Sequence, residues 1–435
     1  MEKAAIENRS AGAECKPGRP WAWVPSLFFT EGMPYALVIT VSVIMYKRLG
    51  ISNTDIGYYT SWLYIPWIIK PLWSPFVDIL KTKRFWIVAM QLLIGGALAC
   101  LGLAIPGPDF FRYSLVFFWL LAFSSATHDI AIDGFYMLGL KEYEQSAFIG
   151  IRTIFYRLAS ITAQGGLVVF AGYLENRFGN IAQGWSVTFF MMAGLFLAFC
   201  IYHWMALPHP IADIPAKRVR TDFTFDFLDT FRSFFNKNDI LTILAFLFFY
   251  RFAEAQLLKM VAPFLLDPHT KGGLGLSTGE VGIIYGTIGV ALSMTGGLIG
   301  GYAIYRKGLK FWLWFMVCIM HIPDLVFVYL SWTMPQNIYL ISACVAVEQF
   351  GYGFGFTAYT MFIIMISEGK YKTAHYAIAT GIMALGMMLP GMMSGWLQDR
   401  LGYQHFFIWI VISTIPAFII PALVKIDPAF GMRTR

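Results

Sequence analysis

Gly172-Tyr173-Leu174-Glu175-Asn176-Arg177-Phe178-Gly179 returns 223 residues later as Gly395-Trp396-Leu397-Gln398-Asp399-Arg400-Leu401-Gly402. A second pair, Thr54-Asp55-Ile56-Gly57 and Gly279-Glu280-Val281-Gly282, repeats at an offset of 225. Two matches at nearly one offset mean that the chain is built twice over. Each copy holds six apolar runs. The first six are 21–46, 55–80, 85–106, 113–139, 147–174 and 185–207. The second six are 239–266, 278–304, 309–330, 336–367, 372–398 and 404–425. In lipid, runs of this length satisfy their backbone only as helices, whereas barrel strands are ~10-residue alternating segments. The expected architecture is an all-α integral membrane protein, with twelve transmembrane helices in two six-helix halves. Parallel repeats of this kind are a transporter signature.

Composition agrees. The 435 residues are 58% hydrophobic and 13% charged, with mean hydropathy +0.62, while soluble domains carry about a quarter charged residues. That excludes a soluble multidomain enzyme, a disordered chain and a disulfide-stapled secreted protein. The net charge of +7 is scattered through short connectors and forms no nucleic-acid footprint. Twenty-one Lys/Arg fall in one set of connectors and six in the alternating set. The positive-inside rule then puts both termini in the cytoplasm. The expected division is a cytoplasmic tail at 1–20, a six-helix half at 21–207, a cytoplasmic loop at 208–238, a second half at 239–425 and a tail at 426–435. Within the loop, Phe227, Leu228, Phe231, Phe234 and Phe235 make one helical stripe, expected to lie on the membrane interface. The first twenty residues lack the apolar core of a signal peptide. The five cysteines have no ligand-like spacing, and no cofactor or metal motif occurs.

Charges inside the runs are the candidate functional residues. They are Lys70, Arg152, Arg157, Arg251 and Lys259 among the bases, and Glu31, Asp129, Asp133, Glu254, Asp324 and Glu348 among the acids. Each costs about 2.5–3.5 kcal/mol at mid-membrane on insertion scales, so each needs a cavity or a partner. Lys259 and Arg152, near run ends, either snorkel or pair. Asp129 and Asp133 stand at i, i+4 and share one helix face. Two carboxylates so placed either carry protons or are neutralised by a base, with Arg157 and Lys70 the nearest choices. His128 points about 100° away from Asp129, so the two do not form a metal site. Glu31 lies beside Gly32 and Pro34, which loosen the first helix. Arg251 and Glu254, at i, i+3, can neutralise each other. Arg157 suits a carboxylate or phosphate on a substrate.

These residues resemble the major facilitator superfamily and, within it, the group of muropeptide permeases and acetyl-CoA transporters. The resemblance is carried by Gly32-Met33-Pro34 and by Lys70-Pro71-Leu72-Trp73-Ser74-Pro75 with Asp78. It continues in Ser125-Ala126-Thr127-His128-Asp129-Ile130-Ala131-Ile132-Asp133, in Tyr156-Arg157-Leu158 with Gly165-Gly166, and in Tyr250-Arg251-Phe252-Ala253-Glu254-Ala255. It spans the whole chain. The chain departs from the group's pattern at Glu31, at His128 and at Tyr136-Met137-Leu138.

The resemblance implies a proton-coupled symporter importing anhydro-muropeptides, sugars with peptide stems, across a bacterial inner membrane for cell-wall recycling. On this reading Asp129, Asp133 and Glu31 couple protons, while Lys70, Arg157, Arg251, Glu254 and His128 bind substrate. No catalytic residue, cofactor or metal is expected. The partners are a small-molecule substrate, protons and lipid, with the chain a monomer. Two other readings stay open: a carrier of another bulky anionic or amphipathic solute, acyl-CoA-like or drug-like, and a membrane sensor that binds solute without moving it. No enzyme motif nominates a reaction.

Overall fold

A computed structural model describes residues 20–211, 213–214, 231–368 and 372–432. The described chain is helical, and ten of its helices are long and apolar enough to cross a membrane. In the first half these are α1 (Pro20–Arg48), α4 (Lys83–Ala104), α5 (Phe110–Gly139), α6 (Ala147–Phe178) and α7 (Ile181–Ala206). Between α1 and α4 lie two shorter helices in line, α2 (Asn53–Trp62) and α3 (Ile65–Leu80), with a turn at Leu63 and Tyr64. The second half holds α8 (Ile240–Leu266), α9 (Thr278–Lys307), α10 (Leu309–Thr333), α11 (Ile338–Ser367) and α12 (Ala374–Ala422). Gly402 stands inside α12 with φ 71° and ψ 164°, which no right-handed helix adopts. It marks the joint between two successive runs. A split α12 and an α2–α3 pair make the described helices compatible with twelve crossings.

Apolar side chains drive the packing. The largest buried cluster joins α1, α4, α5 and α7 of the first half to α8, α9 and α12 of the second. Small residues allow the closest approaches. Gly296 and Gly300 of α9 face the Phe350 and Phe354 carbonyls of α11, the small-xxx-small device of lipid-embedded helices.

The expected interfacial helix lies in part outside the described residues, which include neither Phe227 nor Leu228. Residues 231–235 are helical. There Phe234 is fully buried in a cluster with Phe246, Leu247 and Tyr250 of α8. This end of the connector packs on the second half.

The two sequence repeats meet each other crosswise. Ser52 and Ser277, also 225 residues apart, cap the helices that open with Asp55 and Glu280 in their first turns. The 172–179 copy in α6 then packs on the start of α9, and the 395–402 copy in α12 packs on the start of α2. A Cβ at Gly172 would meet the Gly279 nitrogen at 2.6 Å, and one at Gly395 would collide with the Asn53 backbone. Glu175 accepts from Thr278 Oγ1 at 2.8 Å. Its counterpart Gln398 accepts from Asn53 Nδ2, and Asp399 accepts from Thr54 Oγ1 at 2.6 Å. Lys47 pairs with Asp267 at 2.6 Å. These bridges between halves gather at one end of the bundle, where the side chains of Lys47 and Asp267 are 10% and 6% exposed.

Candidate functional site

Charged side chains inside the helices form a group in each half, and Lys259 reaches across from one half to the other. In the first half, α5 is an unbroken helix through both aspartates, so Asp129 and Asp133 stand one turn apart as the spacing requires. Each meets a base. Lys70 Nζ of α3 is 3.7 Å from Asp129 Oδ2, which also accepts from Trp67 Nε1 at 3.1 Å. Arg152 Nη2 of α6 donates to Asp133 Oδ1 at 2.6 Å, and its guanidinium lies 4.6 Å over the Phe28 ring. Lys70 is thus one of the two neutralising bases anticipated from the spacing. The other is Arg152, held by a carboxylate and a ring, and not Arg157.

Glu31 of α1 is buried, with Oε2 lacking a hydrogen-bond partner. It lies within electrostatic reach of Asp129, Asp133, Lys70 and Arg152. Helix α1 is not broken there. It widens into a π segment at Leu37–Val41, just past Pro34, whose missing N–H removes one rung of the ladder. Gly32 lets α1 close on α6, since a Cβ there would meet the Tyr156 carbonyl at 2.7 Å.

Arg157 and Lys70 are half-buried. Arg157 lies within electrostatic reach of Tyr35 in its own half and of Tyr352 in the other, so it faces the interface. Tyr376 of α12 is in reach of Arg152 and Asp133. The Arg152 and Asp133 side chains are 34% and 40% exposed. Exposure therefore rises from the Lys47–Asp267 end toward this pair. Near Lys70 and Asp129, Tyr35 and Trp67 stand edge to face at 5.1 Å between centroids.

The second half is arranged differently. Helix α8 stops at Phe249 and restarts at Phe252, with Arg251 at φ −114° and ψ 15°. At this break Arg251 makes no hydrogen bond to Glu254, though the two stay within electrostatic reach of each other. Arg251 instead donates to Tyr352 OH at 2.9 Å and lies 4.7 Å over the Phe356 ring. Glu254 turns inward to Asp324 of α10 and Glu348 of α11, their ligand-type oxygens within 4.8 Å of one another. All three are at most 1% exposed.

His128 is not brought to the interface. It is fully buried, 3.1 Å from the Gln91 amide nitrogen, which also lies 2.9 Å from His203 Nδ1. This network ties α4, α5 and α7 together inside the first half. Lys259 of α8 does not snorkel. It is buried, donates to Thr60 Oγ1 of α2 at 2.8 Å and stands 5.4 Å over the Tyr64 ring, a bridge between halves. Its role has no sequence signal, because its partner is a threonine 199 residues away.

Comparison with known proteins agrees with the fold. Residues 26–363 match the Major Facilitator Superfamily. The chain is 26% identical to the anhydromuropeptide permease of Escherichia coli (strain K12) over 402 residues, covering 91% of this chain and 77% of that one. It is 25% identical to the putative transporter AmpG 4 of Rickettsia conorii, covering 91% and 94%. Among solved structures it superposes on a point mutant of the nucleoside transporter NupG with TM-score 0.71 at 16% identity, covering 92% and 99%. It also superposes on a bacterial homologue of the lysosomal transporter Spinster, inward-facing and occupied, with TM-score 0.69 at 16% identity, covering 94% and 97%.

Proposed function

The chain belongs to the Major Facilitator Superfamily, and from that premise we propose that it is a proton-coupled importer of anhydro-muropeptides across a bacterial inner membrane. The observation that carries the reading is the gathering of bases near the interface between the halves. Lys70 and Arg157 from one half and Arg251 from the other converge on it, among Tyr35, Trp67 and Tyr352. A solute with peptide-stem carboxylates and sugar rings fits such a surface. Guanidinium forks bind carboxylates bidentately, and aromatic faces cover apolar sugar faces. The name of the Escherichia coli relative points to the same solute class.

The sealed end, with Lys47–Asp267 and the crossed repeats, faces the periplasm when both termini are cytoplasmic. Rocking one half against the other then alternates access. Coupling follows from the long Lys70–Asp129 contact. An incoming substrate carboxylate competes for Lys70 and frees Asp129, and with Glu31 and Asp133 it takes up the proton that travels with the substrate. The test is uptake of radiolabelled anhydro-muropeptide into proteoliposomes with and without an imposed pH gradient. Gradient-driven accumulation is expected. Its absence, or equal uptake without the gradient, overturns the reading.

A further inference from the structure

Glu254, Asp324 and Glu348 reach one point from three different helices, α8, α10 and α11. Five of their six carboxylate oxygens have no hydrogen-bond donor among the described residues, and the sixth, Glu348 Oε2, accepts from Gln349 Nε2 at 3.0 Å. Three buried carboxylates without matching donors are costly. Arg251 is within electrostatic reach of Glu254 but spends its hydrogen bond on Tyr352. Tyr285 of α9 and Tyr352 of α11 are also in reach, and neither carries positive charge.

The second observation is His321 of α10. It is 2% exposed, and its Nε2 is 3.1 Å from the Tyr250 carbonyl. A carbonyl only accepts, so Nε2 carries the proton. Nδ1 has no hydrogen-bond partner and stands 3.5 Å from Asp324 Oδ2. A protonated ring pairs with Asp324 across this gap, and a neutral ring turns its Nδ1 lone pair toward the same carboxylate, where a cation can sit between them. A histidine whose far nitrogen is pinned to a backbone carbonyl, with its near nitrogen beside a carboxylate, is oriented as metal-ligating histidines are.

We infer that Glu254, Asp324 and Glu348, flanked by His321 Nδ1, form a site for one divalent cation inside the second half. When all three carboxylates are ionised, their charge exceeds what Arg251 and a protonated His321 together supply. The spacing of up to 4.8 Å spans an oxygen shell at metal–oxygen distances of about 2.0–2.6 Å. Carboxylate oxygens with one imidazole suit manganese or zinc. A bound cation clamps α8 to α10 and α11 beside the break at Arg251. It needs no transported solute, so the site stands or falls independently of the substrate reading.

The experiment uses the full chain, purified in detergent with its affinity tag removed, stripped with chelator and dialysed against MnCl2. Metal content, the Mn2+ paramagnetic resonance signal and the melting temperature are measured. About one Mn2+ per chain is expected, with a melting temperature that rises with Mn2+ by mass action. The double variant Glu254→Gln/Asp324→Asn should lose the bound ion and the rise. His321→Gln should weaken binding tenfold or more, on the order of a ligand's supporting partner. Wild-type protein that retains no Mn2+ or Zn2+ overturns the site, as does retention by the double variant. A melting temperature that responds to pH but to neither metal assigns the cluster to shared protons and also overturns it. The wild-type shift is read without any variant, so a misfolded mutant cannot obscure the result.

Discussion

The two halves descend from one pattern, yet they treat buried charge in opposite ways. In the first half each α5 aspartate has a base, Lys70 for Asp129 and Arg152 for Asp133, and both pairs keep some exposure. In the second half three carboxylates crowd together with almost no donors, away from any solvent. The difference teaches what each group can do. Paired charges at an open face can exchange partners with a charged solute, which a carrier needs. Unpaired charges in a closed pocket hold a fixed ligand or store strain, and they influence transport only through the helices that carry them.

The comparison breaks most visibly at Lys70. Lys70→Ala should leave Asp129 without its base and reduce uptake to background, because substrate and aspartate both need the cation. If Lys70→Ala still accumulates substrate, the open-face group is not the site. The double variant Lys70→Ala/Asp129→Asn should restore protein yield without restoring gradient-driven accumulation, which separates a folding defect from a transport defect. Next in size is the pair Asp129→Asn and Asp133→Asn, assayed for both accumulation and substrate exchange. A coupling aspartate should lose accumulation and keep exchange, and retention of accumulation by both variants would remove them from coupling.

A smaller effect should have the opposite sign in the second half. Glu254→Gln removes a charge that no donor compensates, so metal-free protein should melt a few degrees higher, corresponding to about 1–2 kcal/mol. A lower melting temperature in chelated protein would mean that the acid has a partner after all. Arg157→Lys tests the fork. Lysine offers a point charge, so affinity for a carboxylate-bearing solute should fall about tenfold for one lost charge-assisted bond, measured by competition. The smallest effect on transport is expected for His128→Asn, which should lower thermal stability through the Gln91–His203 network and leave substrate affinity unchanged.

Much of the fold was legible in the chain. Run length and hydropathy dictated membrane helices, because lipid leaves backbone groups no other partner. The 172–179 and 395–402 copies announced two halves, and the crossed packing gives the reason they exist. Gly172 and Gly395 seat the starts of α9 and α2, and Glu175 and Gln398 bond to Thr278 and Asn53. The i, i+4 spacing also placed Asp129 and Asp133 correctly, since α5 is regular along its length.

What the sequence by itself determined was therefore local and periodic: that helices form, how many runs there are, and which side chains share a face of an unbroken helix. Only the tertiary structure decided the partners. Arg152 found Asp133, Lys259 found Thr60, and Glu254 joined Asp324 and Glu348 from two other helices. The acid cluster gathers residues from three helices that are up to 94 positions apart in the chain. Periodicity carries no information across such separations, because the register of one helix against another is set by packing, not by the spacing of residues along either.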